Sequence, residues 1–335
     1  MIGLWDTTGS AVVKALSAER RSAGGVTSGL ALTLIAVVDE SQVRDAEAAA
    51  TIATSAHPCR LLLVVRYDVT DQKSRLDAEV VVGGRLGPCE AVVLRMRGRL
   101  ALHAESVVMP LLAPDVPVVT WWQCEAPEHI AYDPLGVVAD RRITDAAQAG
   151  DPITALRVRA EDYAPGDTDL AWTRTTPWRS LLAGAFDATA GTPASATIVA
   201  SPADPTAALL GGWLKARLGL APRFEAAEAD RVTAVRMQLS DGETLEIARE
   251  NGNALLRRDG LPDRVLPLVA RPLGEELAEE LRRLDPDQPY AAALAATTGA
   301  RGLNDRHPTR VHVWKDPALA ERPETADAPA RAATP

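Results

Sequence analysis

Two nearly unbroken apolar runs of strand length, residues 30–38 and 61–65, flank an Ala-rich stretch that begins at Ser41 and is stopped by Pro58. A strand that is apolar at almost every position has to be covered on both faces, as in a parallel sheet. Strand, helix and strand in that order close as a right-handed crossover unit with parallel strands. Further strands are expected over 76–82, 90–97 and 116–122, with helices over 10–21 and 100–112. Thr7-Thr8 supplies the start of the first helix and Gly24-Gly25 its end. The first half therefore reads as a layered α/β domain with a mainly parallel sheet.

The pattern changes further along. Asp133-Pro134 is a helix start, since Asp caps free amides and Pro is tolerated at the first helical position. Helices are expected over 152–161, 178–186 and 205–218, and a strand over 194–200. Pro177 should stop whatever precedes it, so 169–179 reads as an ordered loop. Short strands over 232–239, 244–249 and 253–258 are separated by Asp241-Gly242 and Asn251-Gly252, dipeptides preferred in tight hairpins. They form an antiparallel meander, followed by helices over 275–284 and 289–297. The organisation expected is an α/β domain over 1–150, an α+β domain over 151–315, and a disordered Pro/Ala-rich tail over 316–335.

Composition excludes several function classes. A net charge of −9 in 335 residues argues against a nucleic-acid surface. The longest apolar run, about ten residues, is half of a membrane span, and Met1-Ile-Gly-Leu-Trp-Asp6 does not resemble a signal peptide. Cys59, Cys89 and Cys124 are odd in number and far apart, which fits a reducing cytoplasm better than a disulfide framework. His57, His103, His129, His307 and His312 lack metal-ligand spacing, and Pro308 breaks the helix that His307 and His312 would need. Gly-x-Gly-x-x-Gly, phosphate-loop and Gly-x-Ser-x-Gly motifs are all missing, so neither a cofactor nor a catalytic residue is assigned. His57-Pro58-Cys59-Arg60 brings a His near a Cys, but reads as punctuation between helix and strand.

What stands out is a concentration of Trp and Arg, the residues most enriched at binding hot spots. Trp121, Trp122, Trp172 and Trp178 make up four of the chain's seven tryptophans, and Arg141, Arg142, Arg174 and Arg179 lie among them. At a strand end the two adjacent Trp rings point to opposite faces. One is expected in the core and the other at the carboxyl edge, where open α/β sheets bind ligands. Trp172 and Trp178 either fill a seam between domains or anchor a partner. The arginines either pair with Asp140, Asp145, Asp167 and Asp169, or hold an anionic phosphosugar or the acidic residues of a partner.

Six segments occur in a telling order. They are Asp6-Thr7-Thr8, His57-Pro58-Cys59-Arg60, Val107 to Trp122, Asp133-Pro134 with Arg141 to Asp145, Asp169 to Arg179, and Gly211-Gly212-Trp213-Leu214. In these the chain resembles the glucose-6-phosphate dehydrogenase assembly proteins, the OpcA family of actinobacteria and cyanobacteria, over roughly residues 1–315. Gln123 and Cys124 depart from the Pro and Gly usual after the Trp pair. The resemblance implies a cytoplasmic accessory protein of the oxidative pentose phosphate pathway. Such a protein binds the dehydrogenase and promotes its assembly and activity without an active site of its own. Trp121, Trp122, Arg141, Arg142, Asp145, Asp169, Trp172, Arg174, Trp178 and Arg179 are then the candidate binding residues. The alternative is a phosphosugar- or nucleotide-sensing module with Arg141, Arg142, Arg174 and Arg179 as an anion clamp.

Overall fold

The strand at the centre of the first sheet is β2 (Leu32–Val38), every residue of which is buried. The computed structural model describes residues 1–22, 29–83, 90–130, 133–187 and 189–307. Gly24-Gly25, Cys89, His312 and the tail over 316–335 lie outside the described residues. Eight strands form the first sheet: β1 (Ile2–Leu4), β2, β3 (Cys59–Arg66), β4 (Arg75–Val82), β5 (Glu90–Arg97), β6 (Val118–Trp122), β7 (Arg141–Thr144) and β8 (Asp167–Asp169). Their spatial order is β1-β4-β5-β3-β2-β6-β7-β8. All pairings from β5 through β8 are parallel, and only β4 and β1 run antiparallel at one edge. The mainly parallel α/β sheet expected from the apolar runs is present.

Helices cover both faces. On one, Val12 and Leu16 of α1 (Gly9–Ser22) meet Ile35, Val37, Leu62, Val64 and Trp122. On the other, Ala46, Ala50 and Ala53 of α2 (Val43–Ala56) pack on Leu34, Ala36, Leu63 and Trp121. The stretch expected as one helix over 100–112 is instead α3 (Arg99–Leu102), α4 (Glu105–Val108) and a tight turn at Met109–Leu111. Pro110 sits at the start of that turn and offers no N–H to continue α4. One-turn α5 (Pro134–Val137) is capped by Asp133, whose side chain accepts from the Leu135 N–H. The polar strands β7 and β8 had no apolar signature and were not expected.

Beyond α6 (Pro152–Glu161), helix α7 (Leu170–Phe186) overturns the loop expected over 169–179, for it runs straight through Pro177. An interior Pro costs about 3 kcal/mol of helix propensity. Burial of Leu170, Ala171, Trp172, Thr173, Thr175, Trp178, Leu182 and Ala185 outweighs that cost. The second sheet has the order β10-β9-β11-β12-β13-β14. Its members are β9 (Pro193–Ala200), β10 (Arg223–Ala226), β11 (Ala234–Leu239), β12 (Thr244–Glu250), β13 (Asn253–Arg258) and β14 (Arg264–Pro267). The meander β11-β12-β13 is antiparallel, and its second turn has Asn251 and Gly252 at φ +50° and +80°, the left-handed pair a type I′ hairpin requires. Exposed edge strands β10 and β14 lack burial alternation and escaped the sequence reading.

Helix α8 (Pro205–Leu218) packs on α10 (Gln288–Thr298) through Gly212, where a Cβ would fall 2.2 Å from the Ala293 carbonyl oxygen. The other late helix, α9 (Leu273–Leu281), returns to the first sheet, setting Leu277 and Leu281 into the core beneath α2. The two sheets are thereby joined by a seam formed from α7, α9 and the ends of β7 and β8.

Candidate functional site

Eight of the ten candidate residues are buried: Trp121, Trp122, Arg141, Arg142, Asp145, Asp169, Trp172 and Trp178 are each at most 6% exposed. The rings of Trp121 and Trp122 do point to opposite faces of the sheet, one into each core. Both stand at the carboxyl end of β6, but each is fully buried there and neither is open to a ligand. That expectation is corrected: both tryptophans are core.

The seam is organised by α7. Its N-cap, Asp169, is fully buried and accepts from the Ala171 N–H at 2.9 Å, the Ala146 N–H at 3.0 Å and the Thr144 hydroxyl at 2.7 Å. Burial, then the neighbouring Asp145, raises its carboxyl above the usual carboxylate range. One turn on, Arg174 donates from Nη1 and Nη2 to the two Asp145 oxygens at 2.7 and 2.8 Å, and from Nε to Glu276 at 3.0 Å. Burial works against the Arg174 charge, but Asp145 and Glu276 more than offset it and hold the guanidinium protonated. Arg141 donates to Glu280, whose other oxygen accepts from the Thr173 hydroxyl at 2.6 Å. Arg142 pairs with Asp167 and also donates to the Ala139 and Pro165 carbonyls. Of the four aspartates expected as partners, Asp145 and Asp167 serve arginines, while Asp140 accepts from the Val118 N–H and Asp169 caps α7.

Glu276, Glu280 and Asp287 are site residues that sequence reasoning missed. They lie more than a hundred residues from their partners Arg174, Thr173 and Trp172, and no local pattern marks them. The Trp172 indole N–H donates to Asp287 at 2.8 Å, and its ring packs beside Tyr290 at 5.9 Å between centroids. Arg179 stacks over Trp172 at 3.8 Å, and Arg249 lies over Trp178 at 5.6 Å.

Two clefts flank α7. One, of about 640 Å³, is bordered by Arg174, Trp178, Asp204, Arg249 and Glu276. The other, of about 570 Å³, is bordered by Arg141, Trp172, Arg179, Arg283 and Asp287. Among the described residues, no cluster of three or more His, Cys, Asp or Glu is arranged to hold a metal ion. Cys59 is buried in β3, and His57 contacts the Ala278 carbonyl at 3.1 Å, so the two serve separate packing roles. Burial, then Asp39, pushes the Cys124 thiol up to about 11, which keeps it protonated at neutral pH.

Asp204 in the larger cleft gives a pH signature. It caps α8, and burial raises its carboxyl despite the N–H groups of Thr206 and Ala207. A raised acid binds its proton more readily in the folded than in the unfolded chain. It therefore withdraws stability as pH climbs from the unfolded value, about 3.9, towards the folded one. Asp204→Asn keeps a competent cap. Its stability relative to the parent chain is expected to rise over that interval and stay level above it. Urea midpoints of both chains at about pH 4 and pH 7 check this, and a pH-independent difference contradicts it.

Comparison with known proteins adds to this geometry. Two family models match, described as the N-terminal domain and the C-terminal domain of a "Glucose-6-phosphate dehydrogenase subunit". The first matches residues 50–161 and the second residues 165–294. Among curated proteins, the chain is similar to the "Putative OxPP cycle protein OpcA" of Synechocystis sp., with 29% identity over 146 residues. That match covers 41% of this chain and 30% of the relative's length. No described helix is long and apolar enough to cross a membrane. The two models run in order from α2 to α10, taking in six of the eight strands of the first sheet, all of the second and the seam between them, and the chain belongs to the OpcA family of glucose-6-phosphate dehydrogenase assembly proteins.

Proposed function

We propose that this chain is a non-catalytic accessory protein that binds glucose-6-phosphate dehydrogenase and promotes its assembly and activity in the oxidative pentose phosphate pathway. The observation that carries this reading is the pair of family models over residues 50–161 and 165–294. The site's chemistry supports it. The Trp and Arg concentration builds a rigid seam, and a rigid scaffold presents a binding surface at low entropic cost. An accessory protein of this kind acts by binding one assembly state of the dehydrogenase more tightly than the others, which shifts the population towards it. A cytoplasmic location is part of the proposal, supported by the free thiol of Cys124.

The phosphosugar clamp is the weaker reading. Arg141, Arg142 and Arg174 are each taken up by carboxylates of the chain itself, which leaves them little capacity for an external anion. The accessory role is tested with a preparation proven free of dehydrogenase. The isolated chain is expected to give no glucose-6-phosphate-dependent reduction of NADP, and to retain the dehydrogenase on a column when tagged. Turnover by the isolated chain, or failure to retain the dehydrogenase, contradicts it.

A further inference from the structure

Arg179 differs from the other three candidate arginines. It is half-buried on α7, and its guanidinium stacks on Trp172 while Nε and Nη2 donate to the Thr175 and Thr176 hydroxyls, each at 2.9 Å. The stack and the two hydroxyls fix one edge of the plane. The end-on edge, Nη1 with the second Nη2 hydrogen, has no acceptor among the described residues, and no carboxylate of theirs lies within ion-pair distance. Fixed in this way, the guanidinium loses little further freedom when it takes a planar, bidentate partner.

Its surroundings point to the same need. Arg283, exposed in the segment between α9 and α10, borders the same cleft and forms no ion pair among the described residues. Arg217, exposed near the end of α8, likewise forms none among them. Burial, and further the like charge of Arg217, pull Arg179 below its usual range, against the pull of Asp287 and Glu280. The nearby acids are largely engaged: Glu280 by Arg141 and Thr173, Glu279 by Arg271 and Arg282, and Asp287 by the N–H groups of Trp172 and Tyr290. Among the described residues, Arg179 and Arg283 at the cleft, and Arg217, near enough for its charge to act on Arg179, thus form no ion pair, while Asp285 and Asp287 also border the cleft.

We infer that the Arg179 fork, flanked by Arg217 and Arg283, is the docking point for an acidic segment of the dehydrogenase. The inference rests on the reading of the chain as a dehydrogenase-binding protein. A segment is favoured over a small phosphate because the three guanidiniums come from separate elements, and separate carboxylates can meet each one.

The test uses the full chain, Arg179→Ala, and a second variant carrying Arg217→Glu with Arg283→Glu. Affinity for the dehydrogenase is measured at low and high salt, alongside melting temperature and glucose 6-phosphate binding by the isolated chains. Each variant is expected to bind the dehydrogenase more weakly by on the order of tenfold, with the charge-reversed pair losing most of the salt dependence. The melting temperature of the charge-reversed pair, whose residues are exposed, is expected to stay unchanged, so that pair decides the matter even if Arg179→Ala loosens the Trp172 stack. Parental affinity in the charge-reversed pair overturns the inference. So does loss of glucose 6-phosphate binding in Arg179→Ala with dehydrogenase binding intact, an outcome that assigns the fork to a small anion. Failure of the parent chain itself to bind the dehydrogenase instead refutes the function proposed above, and the inference falls with it.

Discussion

Arg174→Ala is expected to lower the melting temperature by about 4 °C while the folded fraction still binds the dehydrogenase. The Arg174 side chain is 27% exposed, and those of Asp145 and Glu276 are 2% and 10% exposed. Removing the guanidinium strands two buried carboxylates, and breaking a buried pair from one side costs about 3–5 kcal/mol. The partial exposure of Arg174 places the expected loss near the lower end, about 3 kcal/mol. At an unfolding entropy of about 2.1 cal/mol/K per residue, a chain of 335 residues shifts by about 1.4 °C per kcal/mol, which gives the shift stated. Arg174→Lys should restore only part of it, because an ammonium cannot reproduce the bidentate bond to Asp145 together with the bond to Glu276. Calorimetry of the three chains reads the effect. An Arg174→Ala chain that melts with the parent yet no longer binds the dehydrogenase would move Arg174 from the seam to the interface.

Asp169→Ala is expected to cost at least about 3 kcal/mol of stability. It strands the N–H groups of Ala146 and Ala171 and the Thr144 hydroxyl in a fully buried place. Each unsatisfied buried donor costs about 1–3 kcal/mol, and a lost N-cap about 1 kcal/mol. Asp169→Asn is expected to fall between the parent and Asp169→Ala. Its single oxygen can serve only some of the donors, and its amide would face the rest. Urea unfolding with matched m-values checks the order of the three. If Asp169→Ala unfolds at the parental midpoint, α7 is anchored by something other than this cap.

The parts of the fold that were legible in the sequence are those dictated by local chemistry. The apolar runs of β2 and β3 needed cover on both faces, and Asn251-Gly252 needed left-handed backbone. Asp204, Pro205 and Gly219 mark the ends of α8 as cap, first turn and left-handed stop. Elements governed by distant contacts were hidden. Strand β7 begins with two arginines because Glu280 and Asp167 wait for them across the seam, and nothing in Arg141-Arg142 announces a strand. Helix α7 tolerates Pro177 because both flanks are buried, which no local rule predicts. The candidate site was half visible. Trp and Arg marked the place, but their partners Glu276, Glu280 and Asp287 come from α9 and the start of α10. Whether a guanidinium is satisfied within the chain or free for a partner depends on those remote acids, so only the structure separates Arg179 from Arg141, Arg142 and Arg174.

The proposed role of this chain is to act on the dehydrogenase as a binding partner. Titrating the chain into purified dehydrogenase, while following the mass of the assembly and the rate of NADP reduction in the same samples, tests it most directly. The expected result is a saturable rise in activity that tracks the appearance of a larger complex containing both chains. Unchanged activity and an unchanged mass distribution at saturating concentrations of the folded chain would contradict it.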